Sequence, residues 1–250
     1  MNIVLYLLFG VVLLSCNGKK ENTGEPQHQI TTSKPSHSVW NMLLQRYVDE
    51  NGNVNYSGFK QDGAQLSAYL DHLAQHPPSQ TQTWSKEDAL AYYINLYNAA
   101  TVKLIVDHYP VESIKDIPNR WGKKWIQVGN STLSLDYIEH QILREMNEPR
   151  IHFAINCASY SCPKLLNEAF TAKKMEQLLS KVTMDFVNDP TKNRFENDEA
   201  QLSKIFKWYK GDFTKDVSLL EYINPYLKNP VNKDADIDYL DYDWSLNDAK

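Results

Sequence analysis

The chain has 250 residues, a formal net charge of −5 and 12 % aromatic side chains. Phosphate binding needs concentrated Lys and Arg, so this balance argues against nucleic acid as a partner. The aromatic content suits a compact extracytoplasmic domain, and equally a face that binds a peptide, a glycan or another small molecule.

Residues 1–15 form an apolar run that ends at Cys16. About fifteen apolar residues are too few to span a bilayer as a helix but suit the core of a signal peptide. Leu13, Leu14, Ser15 and Cys16 resemble the bacterial lipobox, which marks residues 1–16 as a lipoprotein-type signal peptide and Cys16 as the lipidated residue. No Lys or Arg precedes the run, so an ordinary cleaved signal or a membrane anchor is the alternative. Either reading places the mature chain outside the cytoplasm, attached to or released from a membrane; the lipobox reading holds it in the cell envelope by the lipid on Cys16. Residues 17–38 are polar and without hydrophobic periodicity, as in a flexible tether. Residues 39–250 then form a single domain.

Ser85 followed by Asp88 marks a helix start, and Pro110 ends the helix after Asp107 or His108. Projected at about 100° per residue, this helix is apolar nearly all round. Tyr92, Leu96, Lys103 and Asp107 form its expected solvent strip, with Lys103 and Asp107 spaced to pair. It is therefore a central, buried helix. Asn95 and Asn98 lie on its buried side, about 60° apart. A buried amide without partners costs on the order of 1–3 kcal/mol. Each must therefore tie down a neighbouring backbone, or orient a catalytic group or ligand.

Residues 125–133, turning at Gly129 and Asn130, read as a β-hairpin. Ser134 caps the next helix, whose apolar arc is Leu135, Ile138, Ile142, Leu143 and Met146. Glu139 falls inside that arc, while His140 and Arg144 fall outside it. A carboxylate on a core-facing stripe must be paired, protonated or at a cleft, and as a partner Arg150 is better placed than Arg144. Residues 150–157 alternate as a strand, with Ile151, Phe153, Ile155 and Cys157 on one face and His152, Ala154 and Asn156 on the other. An amphipathic helix over 171–188 follows. A second hairpin over 194–202 leads into a helix capped by Ser203 and running through Tyr209. Residues 236–246 read as a strand with a β-bulge near Leu240. Their aspartates lack the Gly and Glu of a calcium loop, so they read as a solvated strand face.

The strand 150–157 delivers a loop containing Cys157, Ser159, Ser161 and Cys162. Pro163 is suited to a first helical position, which would make Cys162 an N-cap with a lowered thiol pKa. With Cys162 as nucleophile, His152 as base and Asn95, Asn98 or Asn156 as orienter or oxyanion donor, the set suits acyl transfer at an amide or ester. Cys157 then looks structural. The competing reading is a Cys157–Cys162 disulfide: with Cys16 lipidated, two of the three cysteines remain in an oxidising compartment. A metal site from His140, His152, Cys157 and Cys162 lacks a recognisable ligand spacing, so neither a metal nor a cofactor is expected.

Several segments together resemble the domain of unknown function 547 family. They are residues 92–99 (YYINLYNA), 134–140 (SLDYIEH) with Arg144, 149–159 (PRIHFAINCAS) with 161–163 (SCP), and 242–247 (YDWSLN). The resemblance implies one intact domain over nearly its whole length. It also implies that Asn95, Asn98, Glu139, His140, Arg150, His152, Asn156, Cys157, Ser159 and Cys162 belong to the family signature, and it implies no activity. The expected fold is α+β: one mostly helical domain with a small antiparallel sheet built from residues 125–133, 150–157 and 236–246. The expected site is a polar cleft joining Asn95, Asn98, Glu139 and His152 to the 157–163 loop. It would serve either a cysteine-dependent hydrolase or transferase, or a non-catalytic binding or scaffold module with a disulfide-pinned loop.

Overall fold

The computed structural model describes residues 34–78, 83–196 and 198–249. The signal segment, Cys16 and most of the tether lie outside the described residues. The tether's last residues are packed: Lys34 Nζ pairs with Asp88 at 2.5 Å, and the His37 ring meets the Tyr69 hydroxyl at 2.8 Å.

Three helices open the domain, α1 (Ser38–Tyr47), α2 (Tyr56–Gln61) and α3 (Gly63–Gln75). On α1, Trp40, Leu43 and Leu44 recur at helical spacing and are buried. Trp40 stacks on Tyr69 of α3 with ring centroids 5.9 Å apart. Helix α4 (Lys86–His108) is the expected central helix, started by a capping box between Ser85 and Asp88. The predicted solvent strip shrinks to its C-terminal end, where Lys103 and Asp107 pair at 2.5 Å. Tyr92 and Leu96 are fully buried. Tyr92 sits under α3 and donates to Leu73 O at 2.8 Å, an assignment that one helix's own periodicity does not report.

The first hairpin pairs β1 (Ile126–Val128) with β2 (Ser131–Leu133), and Gly129 takes a φ of 58° in the turn. It is a two-stranded sheet of its own, joined to no other strand. The Ser134-capped helix starts as α5 (Leu135–Tyr137), widens into a π-helical stretch over Ile138–Leu143 and tightens to a 3-10 turn over Arg144–Met146.

Residues 151–154 are helical, as α6 (Ile151–Ala154), and not the first half of a strand. Here the alternation of apolar and polar residues misleads, because His152 and Asn156 are as buried as Phe153. Alternation reports a strand only where the polar face meets water. Phe153 sits in a ring cluster with Phe186, Phe206 and Phe213, at 5.1, 5.6 and 5.6 Å. Phe186 comes from α7 (Met175–Val187), the expected amphipathic helix.

The second hairpin pairs β3 (Arg194–Glu196) with β4 (Glu199–Leu202). Ser203 then caps α8 (Lys204–Trp208), and α9 (Lys210–Phe213) and α10 (Leu219–Ile223) follow. Strand β5 (Asp236–Tyr239) adds parallel to β4, with Ala200 opposite Ile237. The fold is thus mostly helical α+β, but its strands make two small sheets where one antiparallel sheet was expected. The residues after Tyr239 neither continue the strand nor form a bulge. They cross the molecule through isolated bridges of Ser245 to Ser113, Leu246 to Ser159 and Asp248 to Val54.

Candidate functional site

The π-helical stretch has more residues per turn than an α-helix, and such stretches are frequent at functional sites. It turns both Glu139 and His140 toward one cavity, although α-helical spacing puts His140 outside the buried arc. Glu139 is only 6 % exposed. Tyr97 of α4 donates its hydroxyl to Glu139 Oε2 at 3.0 Å, and Tyr209, just after α8, donates to Oε1. Burial, reinforced by the Glu139 charge, pushes both phenols well above the ordinary tyrosine range, so they stay protonated as donors. Arg150 is not the partner of Glu139; it is held by Glu148 at 2.8 Å and by Glu176 at 2.7 Å.

His152, on α6, is 3 % exposed. Its Nε2 lies 2.8 Å from Asp212 Oδ2, and its ring stacks on Tyr209 with centroids 3.9 Å apart. Arg144 reaches the same Asp212 carboxylate with Nε at 2.7 Å and Nη2 at 2.9 Å. His152 first and Arg144 second hold the Asp212 carboxyl far below the usual carboxylate range, so it accepts as an anion. His152 Nδ1 is buried and has no hydrogen-bond partner among the described residues. His140 Nδ1 meets Arg144 Nη1 at 3.2 Å.

The cysteine turn comes next in the chain. Cys157 and Cys162 form a disulfide with Cα atoms 6.2 Å apart. Asn156 braces the turn from inside, donating to Pro163 O at 2.7 Å and accepting from Ala158 N at 2.8 Å. It lines a larger groove on the other side of the turn and not the smaller cavity that His152 lines. Ser159 donates to the Tyr242 hydroxyl at 2.9 Å, and Ser161 Oγ accepts from Asp243 N at 2.9 Å, so the C-terminal segment clamps the turn. No helix starts at Pro163, and Cys162 therefore caps none and receives no dipole. The exposure order also departs from expectation: Cys162 is buried, and Cys157 is the half-exposed sulfur.

Asn95 and Asn98 take the backbone-tying role. Asn95 exchanges two bonds with Phe170, donating to its carbonyl at 2.8 Å and accepting from its N–H at 3.0 Å. Asn98 donates to Ala154 O at 2.9 Å and accepts from Asn156 N at 2.9 Å. Neither lines the cavity. The central helix and the cysteine turn do meet, but through these clamps and through Tyr97.

The cavity holds about 300 Å³, at the small end for small-molecule sites. Glu139, His140, His152, Cys157 and Cys162 all line it. Its walls include Trp121, Trp208, Tyr242 and Trp244, with Trp208 and Trp244 stacked at 5.8 Å. A larger, open groove of about 760 Å³ runs along the other side of the turn, past Lys192 and Asn188. It contains none of the histidines or Glu139, so the smaller cavity is where the chemistry gathers. Among the described residues, no group of His, Cys, Asp and Glu is arranged to hold a metal ion.

Residues 81–187 match the family described as protein of unknown function, DUF547. No curated protein and no solved structure matches the chain. The DUF547 segment contains α4, the π-helical stretch, α6 and the cysteine turn, and so includes Glu139, His140 and His152. Tyr209, Trp208 and Tyr242 lie beyond it and complete the cavity, and Asp212, also beyond it, holds His152 without lining the cavity. Tyr97 and Tyr242 stood inside motifs already singled out for their neighbours. Asp212 and Tyr209 carried no local signal.

Proposed function

We propose that this chain is an extracytoplasmic binding module, held to a membrane by lipid on Cys16, whose aromatic cleft takes a small ligand. In this reading the disulfide-pinned turn is a wall of the cleft, and Glu139, His140 and His152 are its polar floor. The observation that carries it is that both cleft sulfurs are bonded to each other, which leaves no thiolate to attack a substrate. Rigid aromatic walls around a few convergent polar groups are what small-ligand sites need. The test counts free thiols in the mature, non-reduced protein. Zero is expected; two free thiols, with either cysteine alkylating fast near neutral pH, would overturn the reading. Labelled fatty acid should be incorporated at Cys16 and lost in Cys16→Ser.

One arrangement favours a second reading, a thiol-dependent hydrolase or transferase active only after reduction. An imidazole held by a carboxylate through one nitrogen, with the other nitrogen free, is how a general base is oriented for a cysteine nucleophile. His152 with Asp212 has that form and shares the cleft with both sulfurs. Asp212, and not an asparagine, would then be the orienter. This reading requires that reduction produce a thiol whose alkylation rate falls in His152→Gln.

A further inference from the structure

Glu139 poses a charge problem that the fold leaves open. It is 6 % exposed, and among the described residues no Lys, Arg or His forms an ion pair with it. Buried carboxylates are normally paired, because two hydrogen bonds from neutral hydroxyls do not replace a counter-charge. Arg144 is committed to Asp212 through two bonds. No Lys or Arg lines the cavity, whereas Asp136 adds a second carboxylate to it. Aromatic faces that surround such a floor attract cations through their quadrupoles. Three lining rings already carry a cation from outside the cavity, Arg120 over Trp121 at 4.2 Å, Lys115 over Trp244 at 5.4 Å and Arg144 over Tyr209 at 5.5 Å.

His152 narrows the chemistry. Its Nε2–H is taken by Asp212, so in the neutral ring Nδ1 is a bare acceptor, buried, unpartnered and on a ring that lines the same cavity. A site with two acceptors and no cationic donor is complementary to a ligand that carries both positive charge and N–H groups. We infer that the cleft binds a protonated aliphatic amine, with Glu139 as its counter-ion, His152 Nδ1 as a second acceptor and the Trp and Tyr walls packing its alkyl chain. This rests on the binding-module reading and adds the ligand class to it.

Three probes with one tail and different heads test it on the intact mature domain: hexylammonium, hexyltrimethylammonium and 1-hexanol, titrated against the tryptophan fluorescence of the cleft. Hexylammonium is expected to bind tightest, about tenfold or more above 1-hexanol, with the trimethylated head between them. Glu139→Gln should reduce hexylammonium binding about tenfold and leave 1-hexanol unchanged. Trp208→Ala, at a ring 46 % exposed, should weaken all three without unfolding the protein. Equal binding of 1-hexanol and hexylammonium would overturn the ammonium assignment and leave the cleft as a binding site. A trimethylated head that binds as well as the primary one removes His152 from the site. If no probe perturbs the fluorescence, both the ligand class and the cleft reading fall.

Discussion

Replacing Asn98 with Ala tests whether the buried amides of the central helix hold structure or contact ligand. Asn98 donates to Ala154 O and accepts from Asn156 N, both at 2.9 Å, and all three residues are 3 % exposed. The substitution leaves one carbonyl and one N–H buried without partners, at roughly 1–3 kcal/mol each, plus a small cavity. With partial relaxation, the loss is about 3–4 kcal/mol. For a domain of this size each kcal/mol shifts the melting temperature by roughly 2–4 °C, so the expected drop is on the order of 10 °C. Asn98→Asp should be at least as harmful, because it sets a carboxylate against the Ala154 carbonyl. Thermal unfolding followed by circular dichroism measures both. A drop below about 2 °C, accompanied by lost ligand binding, would refute the clamp and make Asn98 part of the site.

Two further outcomes follow from charges at the domain's centre and edge. Asp212→Asn should cost about 2–4 kcal/mol at pH 7, because it strips the carboxylate from a partly buried Arg144 and His152. Since its carboxyl is held far below the ordinary range, that stability is fully present above about pH 4 and is lost as pH falls toward the depressed folded value. Denaturant unfolding should therefore show the gap between wild type and variant narrowing by pH 3, and a constant gap would contradict the pairing. His37 behaves in the opposite chemical sense: burial, aided by nearby His72, lowers its pKa from 6.5 to about 4. Its neutral ring favours the fold above pH 6.5, and this contribution fades as pH drops from 6.5 toward 4. His37→Phe should flatten that part of the stability profile, and an unchanged slope would exclude His37 as its source.

Features specified by neighbours in sequence were legible before any coordinates. The Ser85–Asp88 capping box, the strand pairs of both hairpins, and the Ser134 and Ser203 caps depend on contacts within a few residues, and all formed as expected. The cysteine turn stood in the sequence with two readings, a disulfide and a free Cys162 nucleophile, and the structure places the two sulfurs together. Residues 150–157 failed for a definite reason: both of their faces are buried, so polarity carried no information about period. Arg150 was misassigned because its acid partners, Glu148 and Glu176, come from its own loop and from α7, where helical projection does not look.

The sequence by itself determined the local units: where helices start, which turns close hairpins, and that the central helix would be buried with two amides to satisfy. Tertiary structure alone decided what those units do to one another. It turned His140 into the cleft through a π-helical stretch, brought Asp212 to His152 from 60 residues away, and gave Glu139 two phenol donors and, among the described residues, no ion-pair partner. The physical reason is that hydrogen-bonding caps and turns are short-range, whereas the compensation of a buried charge depends on which distant side chains packing delivers to it.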